Sequence, residues 1–190
     1  MNERGGEARL SGEAALSVQV FPVREGRILL TRRGPDLPYA PGLWHAGVAG
    51  KVEPGEDVVT AALRESAEEL GIGVSADDLR FVHVVHDERG PRGWVHFFFL
   101  CHEWTGVPRN REPHKHDEIR WWSPDEPPVD MVDYCAGALR RILAGEVFSR
   151  RSGRAGPAGR YDRPRYEGGH EPRASRPPRN RAEPRSLRDS

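Results

Sequence analysis

Residues 50–72 read GKVEPGEDVVTAALRESAEELGI, and this stretch decides the fold of the chain. From Asp57 to Leu70 it contains no glycine or proline, and apolar side chains recur on one stripe at a helical period. Asp57 is a suitable N-cap after a Pro-Gly turn, and Gly71 stands where a left-handed stop is expected. The sequence therefore predicts a helix over residues 57–70.

Three glutamates of this helix share one face. At about 100° of rotation per residue, Glu65, Glu68 and Glu69 fall within an arc of roughly 100°. Like charges at this spacing repel on an exposed helix by roughly a few tenths of a kcal/mol, so the cluster has little structural value. Mg²⁺ prefers carboxylate oxygens, water and substrate phosphates as ligands. The spacing therefore favours a metal-binding helix over an ordinary charged solvent face.

Arg64 and Glu56 extend the pattern. Arg64 lies at the edge of the glutamate arc, four residues before Glu68, where it offers one positive charge against three negative ones. Its alternative partner is Glu56, and a charge-assisted bond between them would fix the preceding loop on the helix. The seven positions of the pattern are Gly50, Glu56, Arg64, Glu65, Glu68, Glu69 and Gly71. At the frequencies of this composition, a chance match somewhere in the chain has a probability of roughly a few in a hundred thousand.

These residues resemble the Nudix box, G-x5-E-x7-R-E-U-x-E-E-x-G-U, in which U is a bulky apolar residue. All the fixed positions match, and Ile72 fits the second apolar position, whereas Ser66 departs at the first and should weaken packing under the helix. The resemblance implies an α/β protein, an α/β/α sandwich with a mixed β-sheet, that hydrolyses a nucleoside diphosphate linked to another group with the help of Mg²⁺ or Mn²⁺. The metal ligands it implies are Glu65, Glu68, Glu69 and the backbone of Gly50.

The resemblance also implies a set of catalytic residues. A diphosphate repels an anionic nucleophile, so metal ions and positioned charges would carry most of the rate. A carboxylate base would add about 10²- to 10⁴-fold. In similar enzymes the base lies either in the box or in a loop before a late strand. The catalytic candidates in the box are Glu65, Arg64 and Glu56, and the loop corresponds here to residues 109–117.

That loop contains Glu112 in the pattern N-x-E-P-x-K, which resembles a loop of some nucleotide-hydrolysing Nudix enzymes. Glu112 is therefore the candidate base outside the box. The alternative is a solvated acid in a turn, because Pro113 indicates only that the chain is extended or turning there. Glu118, at the predicted start of the next strand, is the weaker candidate.

The remainder of the chain predicts one mixed domain over residues 15–148. Strand-like runs cover residues 15–23, 27–33, 80–86, 94–103 and 118–122, and helical spacing over 131–143 predicts a closing amphipathic helix. For the substrate, Arg33 or its neighbour Arg32 is placed to meet a phosphate. Trp44 is placed to stack on a base, with core or lid packing as the alternative.

The two ends differ from this body. Residues 1–14 are expected to be flexible and lack the apolar core of a signal peptide. Residues 149–190 are rich in arginine, glycine and proline, which predicts a disordered tail. Residues 151–190 hold 11 Arg against 5 acidic residues, a net of +6, so residues 1–150 hold 18 basic against 24 acidic residues. We favour a solvated tail without a specific partner over contact with nucleic acid or protein.

Other features exclude several classes of protein. No apolar run reaches the roughly 20 residues of a membrane span. Cys101 and Cys135 are too few for a disulfide framework or a cysteine zinc site, and the 8 histidines contain no helical HxxxH pair. We therefore expect a cytoplasmic protein without membrane contact and without a histidine metal site. The sequence leaves the oligomeric state open, a homodimer included.

The leading prediction is an Mg²⁺- or Mn²⁺-dependent Nudix pyrophosphohydrolase that acts on a nucleoside triphosphate or a modified form of one. Nucleotide-sugar hydrolysis is the first alternative, because the single domain and the N-x-E-P-x-K loop give triphosphates only a modest preference. The second alternative is a non-catalytic Nudix module that binds a nucleotide or protein and uses its tail for contact. The complete set of box acids argues against it, since binding alone does not need all three ligands.

Overall fold

Strands precede and follow each helix along the chain. The computed structural model describes residues 14–89 and 93–152 of the 190-residue protein. Its strands are β1 (Ala15–Arg24), β2 (Arg27–Arg33), β3 (Trp44–Ala46), β4 (Val48–Lys51), β5 (Leu79–Asp87), β6 (Trp94–Cys101), β7 (His116–Trp122) and β8 (Phe148–Arg151). Its α-helices are α1 (Val58–Glu65), which continues as a π-helical segment (Ser66–Leu70), and α2 (Asp133–Leu143).

Strand β1 is the centre of a mixed sheet. On one side it pairs with β4 in antiparallel orientation, and on the other with β6 in parallel orientation. The sheet continues from β6 through antiparallel β5 to parallel β8. The end of β1 turns into β2, which carries β3 and β7 as antiparallel neighbours. Among the described strands β4 pairs only with β1, so its other edge is open to the box helix.

The two faces of the sheet bury different side chains, as the alternation of a strand requires. Val18 of β1 packs in one apolar cluster with Ala62 of α1. Phe21 of β1 packs in the other cluster with Leu139 of α2. A helix therefore covers each face, which confirms the predicted α/β/α sandwich with a mixed sheet.

The ends of the box helix follow the prediction. Asp57 Oδ1 accepts hydrogen bonds from the backbone N–H groups of Val59 and Thr60 at 2.8 and 2.9 Å, as an N-cap does. Gly71 ends the helix in the left-handed conformation, with φ 67°. The predicted regular helix is wrong in its last turn, because Ser66–Leu70 is π-helical.

Several strands differ from the sequence prediction. The strands β3, β4 and β8 were not predicted, because each has only three or four residues and two of them flank Gly47. β6 ends at Cys101 instead of residue 103, and β7 begins at His116 instead of residue 118. The closing helix is confirmed over Asp133–Leu143. The added strand β4 lies beside α1.

The ends of the chain are described only in part. Residues 149–151, which the sequence placed in the tail, belong to β8. The predictions for the first 13 residues and for residues 153–190 lie outside the described residues. Within the described ranges, the helices are all too short or too polar to span a membrane.

Candidate active site

Arg64 joins the acidic residues of the box. Its Nη2 donates to Glu56 Oε1 at 2.7 Å, and its Nη1 donates to Glu65 Oε1 at 2.9 Å. Nη1 also lies 3.1 Å from Glu68 Oε2, and Nη2 donates to the Lys51 carbonyl at 3.1 Å. Both predicted kinds of partner are present, and the Arg64 hydrogen bond lowers the pKa of Glu56. One guanidinium therefore fixes the preceding loop, strand β4 and the acidic face together.

Gly50 lies directly against the Glu65 carboxylate. A Cβ atom at Gly50 would lie 1.9 Å from Glu65 Oε1, so any larger residue would displace this side chain. Glu65 is buried, and this burial raises its pKa against the opposing effect of Arg64. The first glycine of the box therefore leaves room for a buried carboxylate.

Strand β4 turns alternate backbone groups toward the box. The Ala49 N–H donates to Glu69 Oε2 at 2.9 Å, and the Lys51 carbonyl faces the helix. The Val52 N–H instead donates back to β1 at 3.1 Å. Neighbouring residues alternate in this way along an antiparallel ladder, so the Gly50 carbonyl points toward β1. The prediction of Gly50 as a backbone metal ligand does not fit this register, and the Ala49 carbonyl lies on the carboxylate side instead.

The loop at residues 109–117 packs against the end of the box. The Arg109 N–H donates to the Leu70 carbonyl at 3.0 Å, and the Arg111 N–H donates to the Glu69 carbonyl at 2.9 Å. Glu112 is thereby brought to the box. Potential ligand atoms of Glu69, Glu112 and His116 all lie within 4.8 Å of one another. Glu69 and Glu112 therefore lie close together in the structure, although they are 43 positions apart in the sequence.

Glu69 is the most deeply buried acid of this cluster, with 3% of its surface exposed. Burial raises its pKa to about 8, and repulsion from Glu65 and Glu112 adds to the effect against the hydrogen bond from Ala49. A buried carboxylate with this environment ionises readily only when a cation is added beside it. The environment of Glu69 is therefore suited to a metal ligand.

His116 is a site residue that the sequence analysis missed. Its Nε2 lies 3.6 Å from Glu69 Oε1, and its Nδ1 has no hydrogen-bond partner within the described residues. Burial lowers its pKa to about 4, so the ring is neutral and able to bind a metal. The sequence predicted no histidine metal site because only pairs of histidines close together in the sequence can be recognised from spacing. His116 lay within the predicted loop, but no spacing linked it to the box.

The acidic cluster fits a hard divalent cation. Its carboxylates are Glu56, Glu65, Glu68, Glu69 and Glu112, and the cations that contact them are Arg64 and Lys115. Five carboxylates against two cations leave an excess of negative charge where most of the acids are buried or half-buried. The donor atoms are carboxylate oxygens, which Mg²⁺ and Mn²⁺ prefer, with one imidazole nitrogen in addition.

A cleft of about 680 Å³ opens on the other side of β4. Ala49, Gly50 and Lys51 line one wall, so the cleft begins where the acidic cluster ends. Its remaining walls come from β1, β2, β3, β5, β6 and α2, with Tyr39 and Arg89 from connecting loops. The site therefore consists of an acidic cluster on one side of β4 and a cleft on the other.

Three stacked rings form one wall of this cleft. The ring centroids of Trp94 and His96 lie 5.7 Å apart, and those of His96 and Tyr134 lie 4.1 Å apart, with nearly parallel planes in both pairs. Lys51 Nζ lies 5.8 Å from the centre of the Trp94 ring. An aromatic wall beside cations suits a flat, anionic ligand.

The predicted substrate residues are only partly in the cleft. Arg33 lines it and donates its Nε to the Tyr39 carbonyl at 2.9 Å. Arg32 points elsewhere and donates to the Gly42 carbonyl. Trp44 is buried and packs edge-to-face on Trp122 at 5.4 Å in the apolar core. Its position does not fit stacking on a base and agrees with the alternative of core packing.

Glu118, the weaker base candidate, lies outside the acidic cluster. It forms an ion pair with Arg120, its neighbour on the same face of β7. The structure therefore brings Glu112 to the box and leaves Glu118 on the strand that follows.

Comparison with known proteins agrees with this arrangement. The model of the NUDIX domain family matches residues 13–141. A CTP pyrophosphohydrolase of Escherichia coli (strain K12) is 35% identical over 106 residues, which cover 54% of this chain and 71% of that protein. An isopentenyl-diphosphate Delta-isomerase of Paenarthrobacter aurescens (strain TC1) is 36% identical over 70 residues, 37% of this chain and only 38% of that protein.

Solved structures give the same result. The crystal structure of a MutT NUDIX hydrolase from Burkholderia pseudomallei superimposes with a TM-score of 0.61 and 31% sequence identity. The superposition covers 68% of this chain and 98% of that one. The matched region contains the box, the loop at residues 109–117 and most of the cleft. By its sequence and by its fold, the chain belongs to the Nudix family.

Proposed function

We propose that this Nudix hydrolase cleaves a phosphoanhydride bond of a nucleoside triphosphate, or of a modified form of one, with Mg²⁺ or Mn²⁺. The observation that carries the proposal is the junction at β4. Ala49 and Gly50 contact buried carboxylates on one side and line the cleft on the other. A nucleotide whose phosphates meet the acids can therefore extend its base into an aromatic cleft. Similarity to a CTP pyrophosphohydrolase supports the same class of substrate.

Residues from two parts of the chain would hold the metal. From the box these are Glu65, Glu68 and Glu69, and from the loop they are Glu112 and His116. A divalent ion bound there lowers the pKa of water and screens the charge of the phosphates. Mg²⁺ and Mn²⁺ both accept this oxygen-rich donor set.

The remaining residues position the reacting groups. Arg64 is a positioning residue, because it holds the carboxylates of Glu65 and Glu56 in fixed orientations and keeps β4 against the helix. Glu112 is the candidate general base outside the box, and Lys115 Nζ lies 2.9 Å from Glu112 Oε2 and holds that carboxylate in place. Arg33 and Lys51 line the cleft and supply positive charge for a phosphate.

The test is a substrate screen with purified protein and Mg²⁺. It contains the common nucleoside triphosphates, nucleotide sugars, dinucleoside polyphosphates and isopentenyl diphosphate, and products are identified by mass. We expect a nucleoside monophosphate and pyrophosphate from a triphosphate. Turnover of a nucleotide sugar alone would favour the first alternative. Tight nucleotide binding without any turnover would support the binding module, and isomerised isopentenyl diphosphate would overturn the hydrolase assignment of this site.

Glu68→Gln tests the role of Glu68 as a metal ligand. Its side chain is 52% exposed, so the substitution should leave the free energy of unfolding within about 0.5 kcal/mol of wild type. We expect it to remove most of the turnover, because it removes a charged ligand. Glu53→Gln, an exposed acid in the loop before the helix, is the control and should retain full activity. Full turnover of Glu68→Gln would exclude Glu68 as a ligand.

A further inference from the structure

The cleft has a buried polar floor that the proposed chemistry does not use. Its members are linked by short contacts and are all less than 10% exposed: Ser17, Gln19, His45, His96 and Tyr134. Ser17 Oγ lies 2.6 Å from His96 Nδ1, and His45 Nε2 lies 2.6 Å from the Tyr134 hydroxyl. A buried polar network of this kind carries a cost in stability wherever one of its groups is unsatisfied.

Gln19 is the residue in which this network is incomplete. Its side-chain Nε2 donates to Ser17 Oγ at 3.0 Å and to the Tyr134 hydroxyl at 3.4 Å, which fixes the orientation of the amide. Its Oε1 is buried and has no hydrogen-bond partner among the described residues. Because Gln19 is 1% exposed and lines the cleft, this oxygen is an acceptor held ready for a ligand.

The position of Gln19 indicates which part of a ligand reaches it. Gln19 is paired with Ala49 in the β1–β4 ladder, next to Gly50 and the acidic cluster. A nucleotide with its phosphates at that cluster would place its sugar between the cluster and the cleft. It would then direct the edge of its base farthest from the sugar toward the floor of the cleft. In cytosine and adenine that edge carries an amino group, and in uracil and guanine it carries a carbonyl oxygen.

We infer that Gln19 Oε1 accepts a hydrogen bond from the amino group at C4 of cytosine or C6 of adenine, and selects these amino bases over the keto bases uracil and guanine, which carry a carbonyl oxygen at that position. This inference rests on the proposed function, since it requires a nucleotide in the cleft. A keto base would place a second acceptor against the buried oxygen and leave both unsatisfied. The expected discrimination within each pair, cytosine over uracil and adenine over guanine, is about tenfold.

Binding of nucleoside monophosphates tests the inference without turnover, because a monophosphate has no phosphoanhydride bond to cleave. CMP, UMP, AMP and GMP are titrated into wild type and Gln19→Leu with Mg²⁺ present, and quenching of tryptophan fluorescence reports the dissociation constants. We expect wild type to bind CMP and AMP about tenfold more tightly than UMP and GMP. Gln19→Leu should bring each ratio close to one.

A control variant separates specificity from folding. Ser149→Ala removes a buried hydroxyl that contacts His83 outside the cleft, and it should leave all four dissociation constants unchanged. Equal ratios in wild type and Gln19→Leu would overturn the inference, and so would a preference for keto bases, which would mean that the amide nitrogen faces the cleft. Absence of binding by all four nucleotides would also overturn it. The proposed hydrolysis is tested separately, by turnover of a triphosphate. If wild type hydrolyses a triphosphate but Gln19→Leu keeps the wild-type ratios of dissociation constants, only the role of Gln19 is refuted.

Discussion

Acidification should destabilise this protein through the histidines on the cleft floor. His96 lies between the rings of Trp94 and Tyr134, and its burial lowers its pKa to about 4, with opposing charges nearby on Asp87 and Arg151. In the unfolded chain the pKa of a histidine is about 6.5, so the unfolded state binds more protons between pH 6.5 and 4. Stability is therefore fully present above pH 6.5 and is lost as the pH falls toward 4.

The size of this loss follows from the two pKa values of His96. At pH 7.5 the folded and unfolded states differ at His96 by less than about a tenth of a bound proton, so His96 changes the free energy of unfolding by close to zero. At pH 5.0 the unfolded histidine is almost fully protonated while the folded one is almost fully neutral, which costs about 2 kcal/mol. Well below pH 4 the loss levels off at about 3 kcal/mol, because each unit between the pKa values of the two states is worth about 1.36 kcal/mol.

The measurement compares urea unfolding of wild type and His96→Phe at pH 7.5 and pH 5.0, in EDTA. Phenylalanine keeps a ring in the stack, and any packing cost is the same at both pH values. We expect wild type to lose about 2 kcal/mol more than His96→Phe between the two pH values. Glu69, whose raised pKa acts with the opposite sign, is present in both proteins and cancels.

His86→Phe is the control, because His86 lies on β5 with 41% of its side chain exposed. It should lose as much stability on acidification as wild type. An equal pH dependence for wild type and His96→Phe would refute the reasoning, since it would mean that His96 takes up its proton in the folded protein.

Three further predictions concern Gly50, Arg151 and the residues that follow β8. Gly50→Ala places a Cβ 1.9 Å from Glu65 Oε1, so the variant should lose most of its turnover and most of its affinity for Mg²⁺, measured by calorimetry. Gly137→Ala is the control and should keep its turnover and its Mg²⁺ affinity, because the nearest atom to its new Cβ lies 3.9 Å away. Arg151→Ala removes the ion pairs with Asp87 and Asp133 and the cation over the Tyr134 ring, so KM should rise several-fold and stability fall by about 1–3 kcal/mol. Arg150→Ala, which removes only the exposed pair with Glu88, should change both measurements little, and a chain ending at residue 152 should keep its turnover because it keeps β8.

The box could be predicted because its signals are local. Cap, period and stop all lie within 23 residues, and the spacing of Arg64 from Glu56 was enough to predict the pair that forms at 2.7 Å. The loop carrying Glu112 was also found, through a short motif of its own. Its contact with Glu69 could not be found in this way, because it depends on backbone hydrogen bonds from Arg111 and Arg109 to the end of the helix.

The cleft could not be predicted because its parts meet only through the sheet. Trp94, His96 and Tyr134 are brought together by the parallel pairing of β1 with β6 and by the packing of α2 on the sheet. A single tryptophan near the box was therefore given the stacking role, and Trp44 proved to be buried against Trp122. Strand β8 was missed for a similar reason, since its arginines pair with acids about 60 positions away.

Ser66 shows how a departure from a motif can be compensated by the backbone. An apolar residue was expected at this position, and serine was expected to weaken the packing. The side chain is fully buried, and its hydroxyl donates to the Ala62 carbonyl at 2.7 Å, so no polar group is left unsatisfied. The π-helical segment begins at this residue, and bonds that reach five residues back turn the chain through less than 100° per residue. The smaller rotation per residue changes the direction in which the Glu69 side chain leaves the helix. Its carboxylate accepts a hydrogen bond from the Ala49 N–H at 2.9 Å, so Ser66 and the π-helical segment contribute to the contact between the acidic cluster and β4.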